Sequence, residues 1–506
     1  MNEILIDGAV TVPKHLLKAE DIALIETQLN YKSVYQAKDE EGTVAGYLET
    51  PDVFRLPRFW FDRTLGRKYA NKVVDAAPSA KRMRWKFHGE LRKHQAETGN
   101  QYASFPEVAD AILKHNGVFV SAPCGSGKTV CALYTIAQLG VPTIILTPNE
   151  TVRMQWIEAV KTFLPQLVVT EYSGKRKNLS GDIVVASLQL VSLREVLREF
   201  PFLVLDEAHM ASTKEFQKAM YNIRYRWSLA LTATGDRFDG MDPLFRNALS
   251  AKELELDTDQ MPVTVRFEPF KLTSDDETEL SKMGPKRIDH GLALVGYRNS
   301  KILKTVHASY VNKRRIVVIS KSIPQLQILR SVFAQFEPDA RTALFCGEVT
   351  KYGKVVKDLQ RTRQQVALDE RYIDDPDAVL FATVGKAGVG WDCKEKDALI
   401  FGLPMLDIRQ VLGRVQRYLP GKKKPIAYYP VDEILESRAL GTYWKGLYPL
   451  IERKACLVDN RCDFLDLAGG PDRRARRSSS TKSQTSPPGQ FFTTNESQGL
   501  FEAWEN

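Results

Sequence analysis

The sequence predicts an α/β protein with two parallel-sheet lobes in tandem, a small α+β domain ahead of them and a disordered tail behind. Three observations carry that expectation. From about residue 117, short apolar runs that end in small or polar clusters alternate with helix-like stretches. A second series of the same kind starts near residue 315. The chain then ends in a stretch rich in Ser, Pro and Arg, a composition that cannot bury enough apolar surface to fold.

Residues 1–80 are expected to form the small α+β domain. "ILIDGAVTV" sets Asp7-Gly8 between apolar stretches, the pattern of a tight hairpin. "KHLLKAEDIALIETQL" has helical spacing, and "SVYQAKDEEGTVAGYLE" suggests a second hairpin. The first lobe, residues 81–257, contains "GVFVSAPCGSGKT", "PTIILTPNE", "DIVVASLQ", "FLVLDEAH" and "WSLALTATGD". Alternation of such strands with helices indicates a parallel sheet covered on both faces. Ligands in such sheets sit beyond the carboxyl ends of the strands, where each polar cluster falls. The second lobe, residues 258–465, repeats the pattern with "RIVVISKS", "TALFCGEV", "AVLFATVGKAG", "ALIFGLP" and "PIAYYPV". "ELELDTDQMPVTVRFEPFKL" reads as the crossing, with its break near Asp257 to Pro262. Residues 466–506 are expected to form the disordered basic tail.

Composition narrows the class. With 43% hydrophobic and 26% charged residues, the 506-residue chain has ample material for several cores. Its net charge of +9 favours a polyanionic partner such as nucleic acid. The six cysteines form no Cys-x-x-Cys pair, which argues against structural zinc or a disulfide framework. The start, "MNEILIDGAVTV", lacks the basic flank and apolar core of a signal peptide. No apolar run approaches the roughly 18 residues that span a bilayer. The expected location is the cytoplasm, with no membrane partner.

"SAPCGSGKTV" carries the chemistry. Gly125 and Gly127 let backbone N–H groups curl around a phosphate, with Ser126 between them. Lys128 sets a positive charge by the β/γ oxygens, and Thr129 offers a hydroxyl to Mg²⁺. The helix that starts here adds its N-terminal dipole. Downstream, Asp206 and Glu207 end an apolar strand, positions suited to holding Mg²⁺ and to polarising an attacking water. The expected cofactors are ATP and Mg²⁺.

Ala-x-x-Gly-x-Gly-Lys-Thr followed by Asp-Glu-Ala-His resembles the superfamily 2 helicases, and further motifs follow in their order. Gln95 in "LRKHQ" stands where that family has an adenine-contacting glutamine. "TPNE", with Thr147 and Pro148, resembles motif Ia, and "ASLQ", with Gln189, a variant of motif Ib. "LTATGDRFDG" matches motif III through Thr232 and Thr234, the coupling residues. "TVGKAGVGWD" resembles motif V through Gly388 and Asp392, and "QVLGRVQR" matches motif VI through Gln410, Gly413, Arg414 and Arg417. The resemblance covers about residues 90–450 and implies two RecA-like lobes. It implies an ATP site that includes His209, Gln410 and Asp392, with Arg414 and Arg417 supplied by the second lobe to stabilise transferring phosphate. It also implies strand contacts at Thr147, Pro148, Gln189, Gly347, Thr383 and Gly388, made to phosphates without reading sequence.

Within the superfamily, the "TAT-x-x-R-x-D-G" run resembles the XPB- and RecG-type DNA motors. The whole layout is similar to the UvsW-type phage helicases, which remodel branched DNA. The implied function is an ATP-dependent DNA helicase or translocase acting on forks and four-way junctions in replication, recombination or repair; if phage-encoded, it works in the host cytoplasm. In "FRLPRFWFDRTLGRKY", Arg55 and Arg58 alternate with rings such as Trp60, a pattern suited to gripping phosphates and unstacked bases. The same run could instead fill the junction with the first lobe. The tail offers "RRARR" for DNA and "GLFEAWEN" as a docking peptide for a replication or recombination protein. Two other readings stay open: an RNA helicase of the same superfamily, and an ATP-gated DNA clamp that separates no strands.

Overall fold

The structure, a computed structural model, describes residues 2–32, 43–97, 101–432 and 457–459, apart from 124, 175–176, 193–198, 213–216, 234–239, 259, 271, 284, 348–349, 352–353, 356–360, 389–390, 392 and 406–407. The chain divides into two compact units, Met1–Thr258 and Asp259–Asn506.

The first unit opens with a five-stranded sheet. Its members in chain order are β1 (Ile4–Ile6), β2 (Ala9–Pro13), β5 (Leu48–Glu49), β6 (Val53–Pro57) and β7 (Val73–Asp75), laid out as β5-β6-β2-β1-β7. The Asp7-Gly8 turn joins β1 to β2 antiparallel. Of the stretch expected to form a second hairpin, residues 33–42 lie outside the described residues; β4 (Thr43–Ala45) within it pairs antiparallel with β3 (Asn30–Lys32), which precedes it. The helices Ala19–Gln28 and Arg58–Thr64 close a core of Ile4, Val10, Val12, Ile25, Phe54, Leu56, Trp60 and Phe61.

This small domain is welded to the sheet that follows. Tyr225 N donates to Asp7 O at 2.9 Å, and the Tyr221 hydroxyl donates to Gly46 O at 2.6 Å. Arg58 Nη1 donates to Arg226 O at 2.8 Å, and Arg63 Nη2 to Asn247 Oδ1 at 2.6 Å. The Phe59 ring lies against Gly117, where any side chain would strike it.

The second sheet of this unit is wholly parallel. Its strands are β8 (Gly117–Ser121), β9 (Thr143–Thr147), β10 (Val169–Tyr172), β11 (Ile183–Ser187), β12 (Phe202–Leu205), β13 (Trp227–Thr232) and β14 (Lys252–Glu255), in the order β10-β11-β9-β12-β13-β8-β14. Central strands such as "FLVL" are buried along their whole length, as helices on both faces require. The flanking helices are capped by their own sequence. Ser104 and Glu107 form a capping box ahead of Phe105–His115, and Asn149 Oδ1 accepts from Val152 N at the start of Glu150–Phe163.

The second unit holds another wholly parallel seven-stranded sheet. It comprises β15 (Thr264–Phe270), β16 (Ile316–Ser320), β17 (Thr342–Phe345), β20 (Val379–Thr383), β21 (Ala398–Phe401), β22 (Ile426–Asp432) and β23 (Leu457–Asp459), ordered β17-β20-β16-β21-β22-β15-β23; β18 (Thr350–Lys351) and β19 (Lys354–Val355) form a separate finger. Half of the stretch read as a crossing is therefore sheet. "KELE" is the edge strand of the first lobe, and "TVRFEPF" lies between β22 and β23 in the second. Among the described residues, no helix is long and apolar enough to cross a membrane.

Candidate active site

The loop after β8 meets the ends of its neighbours. Ala122 N donates to Thr232 O at 2.8 Å, tying the start of the loop to the end of β13. Gly125 and Gly127 both take φ +92, the left-handed region that suits glycine. At Gly127 a Cβ would stand 2.7 Å from Gln95 Nε2, so a side chain there would displace the end of the glutamine as well as strain the backbone. Gln95 is buried and donates from Nε2 to Ser126 O at 3.2 Å. The glutamine that resemblance placed near the base thus braces the loop itself. Gly127 caps the helix Lys128–Leu139, whose first turn holds Lys128 and half-buried Thr129.

Two acidic residues face this loop from the end of β12. Lys128 Nζ donates to Glu207 Oε1 at 2.9 Å with both groups largely buried. Glu207 itself sits at φ +50, a strained backbone for a side-chain-bearing residue. Asp206 accepts a 2.7 Å hydrogen bond at Oδ2 from the Trp156 indole. Burial, and then the neighbouring Glu207 carboxylate, push the Asp206 carboxyl up to about 6, against Lys128 and Trp156. His209 bridges outward: its Nδ1 lies 3.1 Å from Thr232 Oγ1 and 3.4 Å from Glu207 Oε2. Thr232 therefore touches the phosphate loop through its carbonyl and the acidic segment through His209.

These residues fit a magnesium nucleotide. The loop offers a cradle bent through the left-handed φ of Gly125 and Gly127, and a buried Ser126 hydroxyl with no hydrogen-bond partner among the described residues. Lys128 supplies the cation for phosphate, while Thr129 and Asp206 supply the hard oxygen donors that Mg²⁺ prefers. No group of three or more His, Cys, Asp or Glu able to hold a metal by themselves occurs among the described residues, so magnesium would depend on phosphate oxygens too.

Trp156 carried no signal in the sequence. Val152, Trp156 and Val160 are buried at successive i+4 positions, a spacing that reads as plain helix core.

The remaining expected residues divide by unit. In the first, Thr147 and Ser187 are paired across β9 and β11, so Thr147, half-buried Pro148 and exposed Gln189 cluster at adjacent strand ends. Thr147 is fully buried, and its hydroxyl donates to Ala186 O at 3.2 Å, so only its neighbours present side chains outward. In the second, exposed Gly347 follows β17, Thr383 ends β20 beside it, and Gly388 closes the short helix Val384–Gly388.

Arg414 lies in the helix Arg409–Val415 and Arg417 just beyond it, both half-buried. That segment is held by Gln416, whose N–H groups and carbonyl exchange hydrogen bonds with Met261: Met261 N to Gln416 O at 2.7 Å, Gln416 Nε2 to Met261 O at 3.3 Å. Thr234, Asp392, the side chain of Gln410 and the whole tail, with "RRARR" and "GLFEAWEN", lie outside the described residues.

The Arg55, Arg58 and Trp60 expectation is corrected. Trp60 is buried and donates from Nε1 to Gln28 Oε1 at 3.0 Å. Arg58 is buried against Arg226 O, and Arg55 Nη2 pairs with Asp7 Oδ1 at 3.0 Å. A ring packed in a core cannot stack on a base, and these cations already have partners. The run fills the junction with the first lobe.

Residues 88–237 match the family described as Type III restriction enzyme, res subunit, a span that contains the phosphate loop and the Asp206–His209 segment. "Putative ATP-dependent RNA helicase L396" of Acanthamoeba polyphaga mimivirus is 23% identical over 83% of this chain and 80% of its own. "Putative helicase 161L" of Invertebrate iridescent virus 6 is 22% identical over 66% of this chain and 75% of its own. Among solved structures, the Pyrococcus furiosus Hef helicase domain aligns with 68% of this chain and 97% of its own at 13% identity, with a TM-score of 0.42.

Proposed function

We propose that this chain, a superfamily 2 helicase by its relatives and its motif order, hydrolyses ATP to move along DNA and remodel branched DNA such as forks and four-way junctions. One observation supports the motor reading above all: Thr232 is bonded both to the phosphate loop, through Ala122, and to the acidic segment, through His209. In a motor hydrolysis must be felt elsewhere, and this link gives it a path from the nucleotide cradle to the end of a neighbouring strand.

Bound Mg²⁺-ATP supplies the phosphoanhydride and the charge that bridges its oxygens. Lys128 and the N–H groups of Gly125–Thr129 would hold the phosphates, Thr129 and Asp206 the magnesium, with Gln95 bracing the loop. Glu207, free of strong competition once Lys128 has an anionic partner, would polarise water. Arg414 and Arg417, as the motif resemblance implies, would stabilise charge on the transferring phosphate. Pro148 and Gln189 beside buried Thr147, with Gly347, Thr383 and Gly388, would grip the strand at strand ends of the two sheets without reading its sequence.

DNA as substrate rests on the motif III run and on a small N-terminal domain fixed to the first lobe. The mimivirus relative's printed name favours RNA instead, so both belong in the test. ATPase and strand displacement are measured with single strand, duplex, fork, four-way junction and RNA. Greatest stimulation by branched DNA is expected, with Lys128→Ala inactive. Arg414→Ala and Arg417→Ala should lower turnover about 10³-fold or more while sparing ATP affinity. A preference for RNA would overturn the substrate assignment; ATPase without strand displacement on any substrate would overturn the motor.

A further inference from the structure

Residues Lys81–Lys93 run as a strap across the first lobe. Its path is pinned by backbone. Met83 N donates to Gly140 O at 2.7 Å and His88 N to Phe163 O at 2.8 Å, while Gln166 Nε2 donates to Lys86 O at 2.8 Å. Arg82 caps the end of the phosphate-loop helix, donating to Leu139 O at 3.0 Å and Gln138 O at 2.8 Å. Gly140, at φ +64, lies so close to the Met83 carbonyl that no Cβ fits between them. Phe87 stacks on Phe163 at 5.4 Å and meets Tyr134 edge-on at 5.6 Å. The strap therefore starts at the C-terminal ends of two helices and finishes at Gln95 beside the phosphate loop.

Exposure alternates along its middle. Trp85 and Phe87 are half-buried, whereas Arg84, Lys86 and His88 point outward. Six cations, Lys81, Arg82, Arg84, Lys86, Arg92 and Lys93, stand against one acid, Glu90. Lys81, Arg84, Lys86 and Lys93 are exposed, and their side chains have no hydrogen-bond or ion-pair partner among the described residues. Several cations elsewhere in this unit are compensated, Arg226 by Asp75, Arg246 by Asp242 and Glu253, Lys68 by Glu20 and Asp21, and those that are not, such as Arg67, Lys114 and Lys252, are far apart in the chain instead of strung along one pinned segment. Surfaces ordinarily intersperse both signs. A fixed backbone that holds uncompensated cations outward is preorganised for a polyanion, since little further ordering is needed on contact.

We propose that Lys81, Arg84 and Lys86 form a cationic rail that binds the phosphate backbone of the nucleic acid, away from the strand-end grips. The proposal rests on the reading of the chain as a nucleic-acid motor. The rail reads charge and not sequence, and it extends the footprint along the lobe that also holds the nucleotide.

The test compares the full chain with K81A/R84A/K86A, using a fluorescein-labelled forked oligonucleotide and anisotropy across a salt series. Losing three phosphate contacts should lower the slope of log K against log salt by about 2–3 and weaken binding roughly 100-fold at 0.1 M salt. ATPase without nucleic acid should stay unchanged, and K81R/R84K/K86R should bind as the parent does. In the unaltered protein, bound oligonucleotide should protect Lys81 and Lys86 from amine-reactive labelling. An unchanged salt slope in the alanine variant, or no protection of these amines, overturns the rail and leaves the motor reading intact. A parent chain that binds no oligonucleotide overturns the motor reading, and the rail with it.

Discussion

Replacing Trp156 with phenylalanine keeps a buried ring but deletes the N–H that donates to Asp206 Oδ2 at 2.7 Å. Asp206 is buried, with its carboxyl pushed up to about 6 by burial and by Glu207, and the Trp156 donor is one of the groups opposing that rise. A hydrogen bond to an ionised group contributes about 1.5–3 kcal/mol, or roughly 1–2 pKa units. In the variant Asp206 should therefore titrate at roughly 7–8. Only the ionised carboxylate can hold a cation, so protons compete with magnesium below that pKa. Between pH 8.5 and 6.5 the apparent Mg²⁺ constant for ATPase should worsen about 1.3-fold in the parent and roughly 4- to 25-fold in Trp156→Phe. Steady-state ATPase, titrated with Mg²⁺ at both pH values under saturating ATP, reads this directly. Equal pH ratios in the two proteins would show that the indole does not tune Asp206, or that Asp206 does not hold the metal.

Other substitutions probe the same pocket. Lys128→Ala should abolish turnover and cost about 1–3 kcal/mol of stability, because the buried Glu207 loses its 2.9 Å partner. Adding Glu207→Gln should recover that stability in urea unfolding without recovering turnover; no recovery would mean the pair is not what the loss reports. Asp206→Asn should raise the melting temperature by a few degrees while silencing ATPase. The folded-state pKa lies above the ordinary 3.8, so the ionised form is penalised by folding and the nucleotide-free chain gains stability as pH falls from about 6 toward 3.8. A lower melting temperature for Asp206→Asn at pH 7.5 would contradict that sign.

The ten strand cores and the phosphate loop were legible because their signals are local. Val- and Ile-rich runs bounded by glycine specify strand and turn within a dozen residues. What stayed hidden depends on distant partners. "FRLPRFWFDRT" alternates cations with rings, and that pattern suits an exposed grip and a buried seam equally. Carbonyls of Arg226 and Ser250, far along the chain, decide in favour of the seam. "ELE" at the start of the expected crossing looked like linker because it carries two charged residues around one leucine, and an edge strand of a covered sheet permits those charges to stay exposed. The indole that tunes Asp206 is invisible because 50 residues separate them and its spacing matches ordinary core.

The entry of the chain into the second unit bears on the arginine segment. Residues 260 and 261 are the first described there, and both are bonded to it: Gln260 bridges Arg417, and Met261 exchanges two hydrogen bonds with Gln416. Gln416 is buried, and Lys422 Nζ donates to the carbonyls of Val415 at 2.7 Å and Arg417 at 3.0 Å. The backbone that carries Arg414 and Arg417 is thus fixed to the point where the chain arrives, and a displacement of that point must move both guanidinium groups. Gln416→Ala removes the side-chain half of this link and leaves the arginines in place. Because a misplacement of about 1 Å near the chemistry can cost 10²-fold, kcat for nucleic-acid-stimulated ATPase should fall about 10-fold or more with KM for ATP unchanged. Gln416→Glu, which keeps the shape but loses the donor, should behave like alanine. A drop in melting temperature with unaltered stimulated kcat would mean that Gln416 only supports the fold.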